Sequence, residues 1–261
     1  MKQIIADDLG LYPSVNDGII FLLRENKIAG ASLMANGQAF DDAIAKCLEV
    51  ENLNIGAHLV LVEEKPLTSM VFPGNHKIFF IKYILGLIKL SDIEREFRAQ
   101  LNKIINAGIN PQFINSHQHL HLLPGITDIV IKLAQEYQIP YIRVATEIVF
   151  IPRSWYKYDN LFYKFFRFGQ LLFLKFLSDV AKRKIKKAGF QCNDFFVGFI
   201  NAGNLSKNDV EMAQKLAEKY PDKIVELGCH PGYENETLHE KYKHWGQYHW
   251  QSELAILKEL K

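Results

Sequence analysis

Short apolar runs alternate with longer segments of helical spacing along most of the chain. Lys2–Ala6, Ala31–Met34, Leu53–Leu61, Phe113–Ile114, Tyr141–Val144, Phe195–Ile200 and Ile224–Leu227 are brief and mostly apolar, the pattern of strands buried on both faces. Val15–Glu25, Ala39–Val50 and Gly125–Tyr137 between them read as helices. Ile93, Phe97, Leu101, Ile104 and Ile105 recur at helical spacing, with Gly108 at the expected stop. Ser91-Asp92-Ile93-Glu94 predicts a capping box at the start of that helix. Ser206-Lys207-Asn208-Asp209 predicts a similar start for a helix through Tyr220. About seven strands, most followed by a helix, give an α/β fold of the (β/α) barrel type. Without an internal repeat or a Pro/Gly/Ser-rich linker, residues 1–261 read as a single domain, with a variable helical insertion at about 155–189.

Two segments break the alternation. Ile78–Leu90 reads IFFIKYILGLIKL, and Leu161–Leu177 reads LFYKFFRFGQLLFLKFL before a basic run from Lys182 to Lys187. Internal charges argue against membrane spans, which need about 20 mostly apolar residues. Each is read as a buried helix, a cover over a cleft or a subunit contact, and a homodimer is compatible with them. A basic amphipathic helix on a membrane surface is the less favoured reading, because the charges interrupt the apolar face.

Lys and Arg total 31 against 29 acids, a net charge of +2, which argues against a nucleic-acid partner. The three cysteines have no close pairing and the first residues enter a strand directly. A cytoplasmic location is therefore expected.

Candidate chemistry sits at the ends of four predicted strands. Asp7 and Asp8 are adjacent acids, which repel unless a cation or a shared proton compensates. A regular strand would point them to opposite faces. His58 lies in an apolar strand. His117, His119 and His121 alternate after Phe113–Ile114, so in an extended segment they would share one face, a pattern packing alone does not explain. His230 precedes a Pro231-Gly232 turn. A barrel would gather these ends at one rim, and Asp with two His suits a divalent ion that keeps open positions for water.

These motifs, in this order, resemble the YdjC-like carbohydrate deacetylases, the family of the chitooligosaccharide deacetylases. The matching stretches are Ala6-Asp7-Asp8-Leu9-Gly10, Val15-Asn16-Asp17-Gly18-Ile19, Ser32-Leu33-Met34-Ala35-Asn36, Ile55-Gly56-Ala57-His58-Leu59, Ser116 to His121, Tyr141-Ile142-Arg143 and Glu226 to Gly232. The resemblance implies a deformed (β/α) barrel related to the polysaccharide deacetylases. It implies removal of an N-acetyl group from an amino sugar with one bound divalent metal, magnesium or zinc first, manganese or cobalt also compatible. By position, Asp8, His58 and His117 correspond to metal ligands, Asp7 to the catalytic base and His230 to the general acid. His119 and His121 correspond to cleft-lining positions. Arg143 is read either as a group steadying substrate and carboxylates or as an ordinary ion-pair residue. Leu9 stands where the family usually has phenylalanine. Two rivals remain: another metal-dependent hydrolase on the same scaffold, acting on a phosphoester or cyclic amide, and a non-catalytic carbohydrate-binding protein.

Overall fold

Seven short apolar segments become seven parallel strands of one sheet, in the order β5-β4-β3-β2-β1-β7-β6. They are β1 (Lys2–Leu9), β2 (Gly30–Leu33), β3 (Ile55–Leu59), β4 (Phe113–Ser116), β5 (Tyr141–Ile142), β6 (Phe195–Val197) and β7 (Val225–Cys229). The computed structural model describes residues 2–147, 161–245 and 248–260. Helices α1 (Pro13–Arg24), α2 (Phe40–Leu48), α3 (His76–Ile84), α4 (Leu90–Asn106), α5 (Ile126–Glu136), α6 (Leu161–Lys187), α7 (Lys207–Lys219), α8 (Glu236–Tyr242) and α9 (Trp250–Lys258) surround it. Every residue of β2, β3, β4 and β7 is buried, as helices covering a parallel sheet require.

The sheet curls until its edges meet along an irregular seam. Tyr141 bridges Gln191 and Glu147 bridges Phe196, both in parallel. Between these bridges the Asn193 side chain stands in for a ladder rung. It accepts from the Val144 N–H at 2.8 Å and donates to the Val144 carbonyl at 2.6 Å. The fold is thus an α/β deformed barrel with helices outside. Residues 155–160 of the expected insertion lie outside the described residues, and α6 covers most of the rest.

The two predicted helix starts differ. At Ser206 the Asp209 carboxylate reaches back to the Ser206 N–H at 2.8 Å. At Ser91 no such box forms: α4 begins at Leu90 with Lys89 at the N-cap, so Ser91 lies inside the first turn. Glu94 turns outward to Arg98 at 3.1 Å and Lys132 at 2.7 Å, so two cations outcompete one backbone donor. No helix among the described residues is long and apolar enough to cross a membrane.

Candidate active site

The rim at the C-terminal ends of β1, β3, β4 and β7 collects the polar residues. At β1 the backbone makes both acids face it. The register against β2 shifts between Ala6 and Leu9, and Asp8 takes φ 66°. This bulge breaks the two-residue alternation that would have sent Asp7 and Asp8 apart. Gly10 then turns back and donates its N–H to the Asn16 side-chain oxygen at 2.7 Å, while Asn16 also bonds the Ala39 carbonyl and Asp42. Asn16 thereby ties the β1 exit to α1 and α2.

Asp8 is fully buried, and neither carboxylate oxygen has a hydrogen-bond partner. Two imidazole nitrogens face it instead. His58 Nε2 and His117 Nδ1 each lie 3.3 Å from Asp8 Oδ1 and 3.5 Å from each other. Ligands about 2.0–2.1 Å from a tetrahedral ion stand about 3.3–3.4 Å apart, so this triangle fits a small divalent cation.

The opposite side of each imidazole is held. His58 Nδ1 faces Asn115 Oδ1 at 2.7 Å, so Nδ1–H donation there leaves Nε2 free to ligate. His117 Nε2 faces Glu63 Oε2 at 2.9 Å, a carboxylate–histidine arrangement common behind metal ligands. Burial alone would lower the His117 pKa, but Asp8 and Glu63 outweigh it and push it up to about 10. Two carboxylates thus demand positive charge at this point, which a proton or a metal ion can supply.

Asp7 has a different environment. Its Oδ1 accepts from Ser32 Oγ at 2.7 Å and Asn115 Nδ2 at 3.0 Å, and its Oδ2 accepts from Arg143 at 2.5 Å. Arg143 is completely buried and also donates to Glu226, whose other oxygen accepts from the Tyr141 hydroxyl at 2.8 Å. Burial by itself would raise the Asp7 pKa, but the Arg143 charge overrides it and holds the carboxyl well below the usual range.

The cleft over these groups encloses about 1070 Å³, and Asp7, His58, His117, His119 and His230 line it. His230 follows β7. Its backbone N–H donates to the buried Glu253, its ring meets Tyr248 edge-on at 5.4 Å, and its Nδ1 is buried without a partner. The turn after it lies against α1 where two glycines meet. A Cβ on Gly18 would fall 2.8 Å from the Gly232 Cα, so only glycine permits this approach.

The histidine cluster does not continue as a strand. β4 ends at Ser116 and a helical turn follows over His117–Leu122, with Gln118 at φ 56° and His119 at φ 54°. The three rings therefore diverge. His117 faces Asp8. His119 lies against Phe196 and Phe199 at the cleft, and burial holds its pKa well below the ordinary value. His121 turns inward and bonds Ser116 Oγ at 2.7 Å and the Arg143 carbonyl at 2.8 Å. Arg143 likewise sits behind the acids rather than in the cleft wall.

Glu63, Asn115 and Ser32 hold the site but were not singled out in the sequence. Glu63-Glu64 is a second acid pair just beyond a strand, the signal that marked Asp7-Asp8, and it carried the same information.

The model of the family described as YdjC-like protein matches residues 3–261. The chain belongs to the YdjC-like family. It is 38% identical to a carbohydrate deacetylase of Brevibacillus brevis over 144 residues, 54% of this chain and 58% of that protein. A carbohydrate deacetylase of Xenopus laevis is 28% identical over 257 residues, 88% of this chain and 80% of that one. The match thus spans little more than half the length of the Brevibacillus relative. Among solved structures, a protein of Enterococcus faecalis V583, for which cellobiose-phosphate cleavage has been suggested, superposes with a TM-score of 0.69 at 20% identity. That superposition covers 99% of this chain and 90% of the other, a likeness of fold.

Proposed function

We propose that this YdjC-like chain hydrolyses the N-acetyl amide of an amino sugar, using one divalent ion held by Asp8, His58 and His117. The observation that carries the reading is Asp8: a buried carboxylate with no hydrogen bond to either oxygen and two imidazole nitrogens 3.3 Å from Oδ1. A buried carboxylate is costly unless a cation compensates it. The relatives named carbohydrate deacetylases supply the substrate class. Two imidazoles with one carboxylate favour zinc over magnesium on donor softness.

When bound, the ion supplies Lewis-acid chemistry, polarising the acetyl carbonyl and acidifying water. The remaining work falls to side chains. Asp7 takes the proton from water as its oxygen joins the acetyl carbon. The Arg143, Ser32 and Asn115 bonds keep Asp7 ionised and aimed, trading basicity for fixed orientation. The C–N bond then breaks, acetate leaves, and the amine takes a proton. His230, whose Nδ1 lacks a partner in the cleft wall, is assigned as its donor.

The test combines metal analysis with acetate release from N-acetylglucosamine oligomers, run beside a phosphoester panel. Asp7→Asn keeps the metal and loses about 100-fold or more in kcat. His117→Ala loses both metal and turnover. Full turnover in Asp7→Asn would remove the base assignment, and wild-type metal stoichiometry in His117→Ala would remove the ligand assignment.

A further inference from the structure

The cleft is larger than an amino sugar needs, and its α3–α6 end is largely apolar. Its volume of about 1070 Å³ exceeds the ~300–1,000 Å³ in which drug-sized ligands are buried. Beyond the polar groups, α3 and α6 form its walls through Phe80, Ile81, Phe173 and Leu174. Phe80 and Phe173 meet edge-on at 5.6 Å, so the two helices join at the rim.

The apolar surface continues outside the cleft. Ile81 is 57% exposed and Phe176 is 62% exposed, with Ile78, Ile84 and Leu85 more than half exposed on the α3 side. Scattered exposed apolar residues are ordinary, but Ile81 and Phe173 both line the cleft and face solvent, and apolar surface exposed at the mouth of a cleft marks a binding surface. Its charge is one-sided. Neither His76–Leu90 nor Leu161–Leu177 contains an acidic residue, and each contains three Lys or Arg. Lys77 lines the cleft, and its ammonium has no carboxylate partner among the described residues.

The basic run after α6's apolar half is a different matter. Lys182 and Lys186 face Asp194, and Lys184 pairs with Asp128 at 2.7 Å. These cations are occupied by the protein itself and do not form a free basic patch.

We infer that the substrate is an N-acetylated amino sugar carried on an anionic lipid. The sugar enters the polar end and the hydrocarbon lies in the groove between α3 and α6. Lys77 faces the phosphate. This rests on the deacetylase reading and narrows its substrate class.

The test measures acetate release by the full, metal-loaded chain from anomeric phosphodiesters of N-acetylglucosamine bearing methyl, octyl or hexadecyl groups. Because each buried methylene adds to binding, kcat/KM rises about tenfold or more from methyl to octyl. The double substitution Ile81→Ser, Phe173→Ser collapses the octyl-to-methyl ratio toward one. Equal rates on all three esters overturn the lipid assignment and leave deacetylation standing. No acetate from any ester, nor from the oligomers above, removes the deacetylase reading and this inference with it. A ratio unchanged in the double variant moves the hydrocarbon out of this groove and overturns the assignment. Sedimentation checks the rival occupant: a dimer that the same substitutions split, with a flat chain-length profile, gives the face to a second copy of the chain and also overturns it.

Discussion

Replacing Arg143 by Met removes the guanidinium that lies between two buried carboxylates. In the native chain that side chain is fully buried, 2.5 Å from Asp7 and bonded through Nε to Glu226. The substitution keeps much of the volume, so the dominant effect is electrostatic. Removing one partner of a buried ion pair costs about 3–5 kcal/mol. Neutral donors survive on both acids, Ser32 and Asn115 on Asp7 and the Tyr141 hydroxyl on Glu226, which keeps the loss within that range. Against a total stability of about 5–15 kcal/mol, the variant folds but with a thin margin. Urea unfolding followed by tryptophan fluorescence at about pH 7 should show the midpoint falling by about 1–2 M. Arg143→Lys, which restores the charge but not the fork, should fall between. Turnover should drop in both, because Asp7 loses its main orienting bond. A Met variant whose midpoint matches wild type would refute the claim that this ion pair supports the barrel.

Two further outcomes follow from the same geometry. Glu63→Gln keeps an acceptor for His117 Nε2 but loses its charge, and metal affinity by calorimetry should fall about 10–100-fold; unchanged affinity would remove Glu63 from the support of the site. His121 is buried, and burial lowers its pKa from 6.5 to about 4. The unfolded chain binds a proton there that the native chain refuses, so stability falls as pH drops through that window, by up to about 3 kcal/mol. His121→Gln should flatten that part of the midpoint–pH profile, and a profile of unchanged steepness would contradict it.

Much of the barrel was legible because a parallel sheet covered by helices needs short, wholly apolar strands, and the chain supplies them. The grouping of Asp8, His58 and His117 was legible for a related reason: acids and histidines are conspicuous at the ends of such strands. What escaped depends on backbone detail that residue types do not announce. Gln118 and His119 adopt left-handed conformations without glycine, so the histidine run coils and sends His121 inward. Ser91 satisfied the capping pattern, yet Lys132, distant in sequence, draws Glu94 away from it. Arg143's bridge between Asp7 and Glu226 ties the segment after β5 to β1 and β7 and has no local signature. The segment Ile78–Leu90, whose expected roles include a cover over a cleft, holds the C-terminal part of α3, which lines the cleft through Phe80 and Ile81, and then runs largely exposed from Leu85 to the start of α4.

The left-handed turn at Asp8 has a thermodynamic consequence. A non-glycine residue held at φ 66° costs about 1–3 kcal/mol, and its buried charge adds to that burden in the metal-free chain. An ion that binds only the folded form returns RT ln(1 + [L]/Kd), about 4 kcal/mol at a thousandfold excess over Kd. On the proposed reading such an ion would be a folding partner as well as a reagent. Ranking metals by the melting temperature they confer would test the proposed metal site with no substrate in hand, and Asp8→Gly, relaxed in its backbone and stripped of its charge, should be stable yet indifferent to every metal in the series.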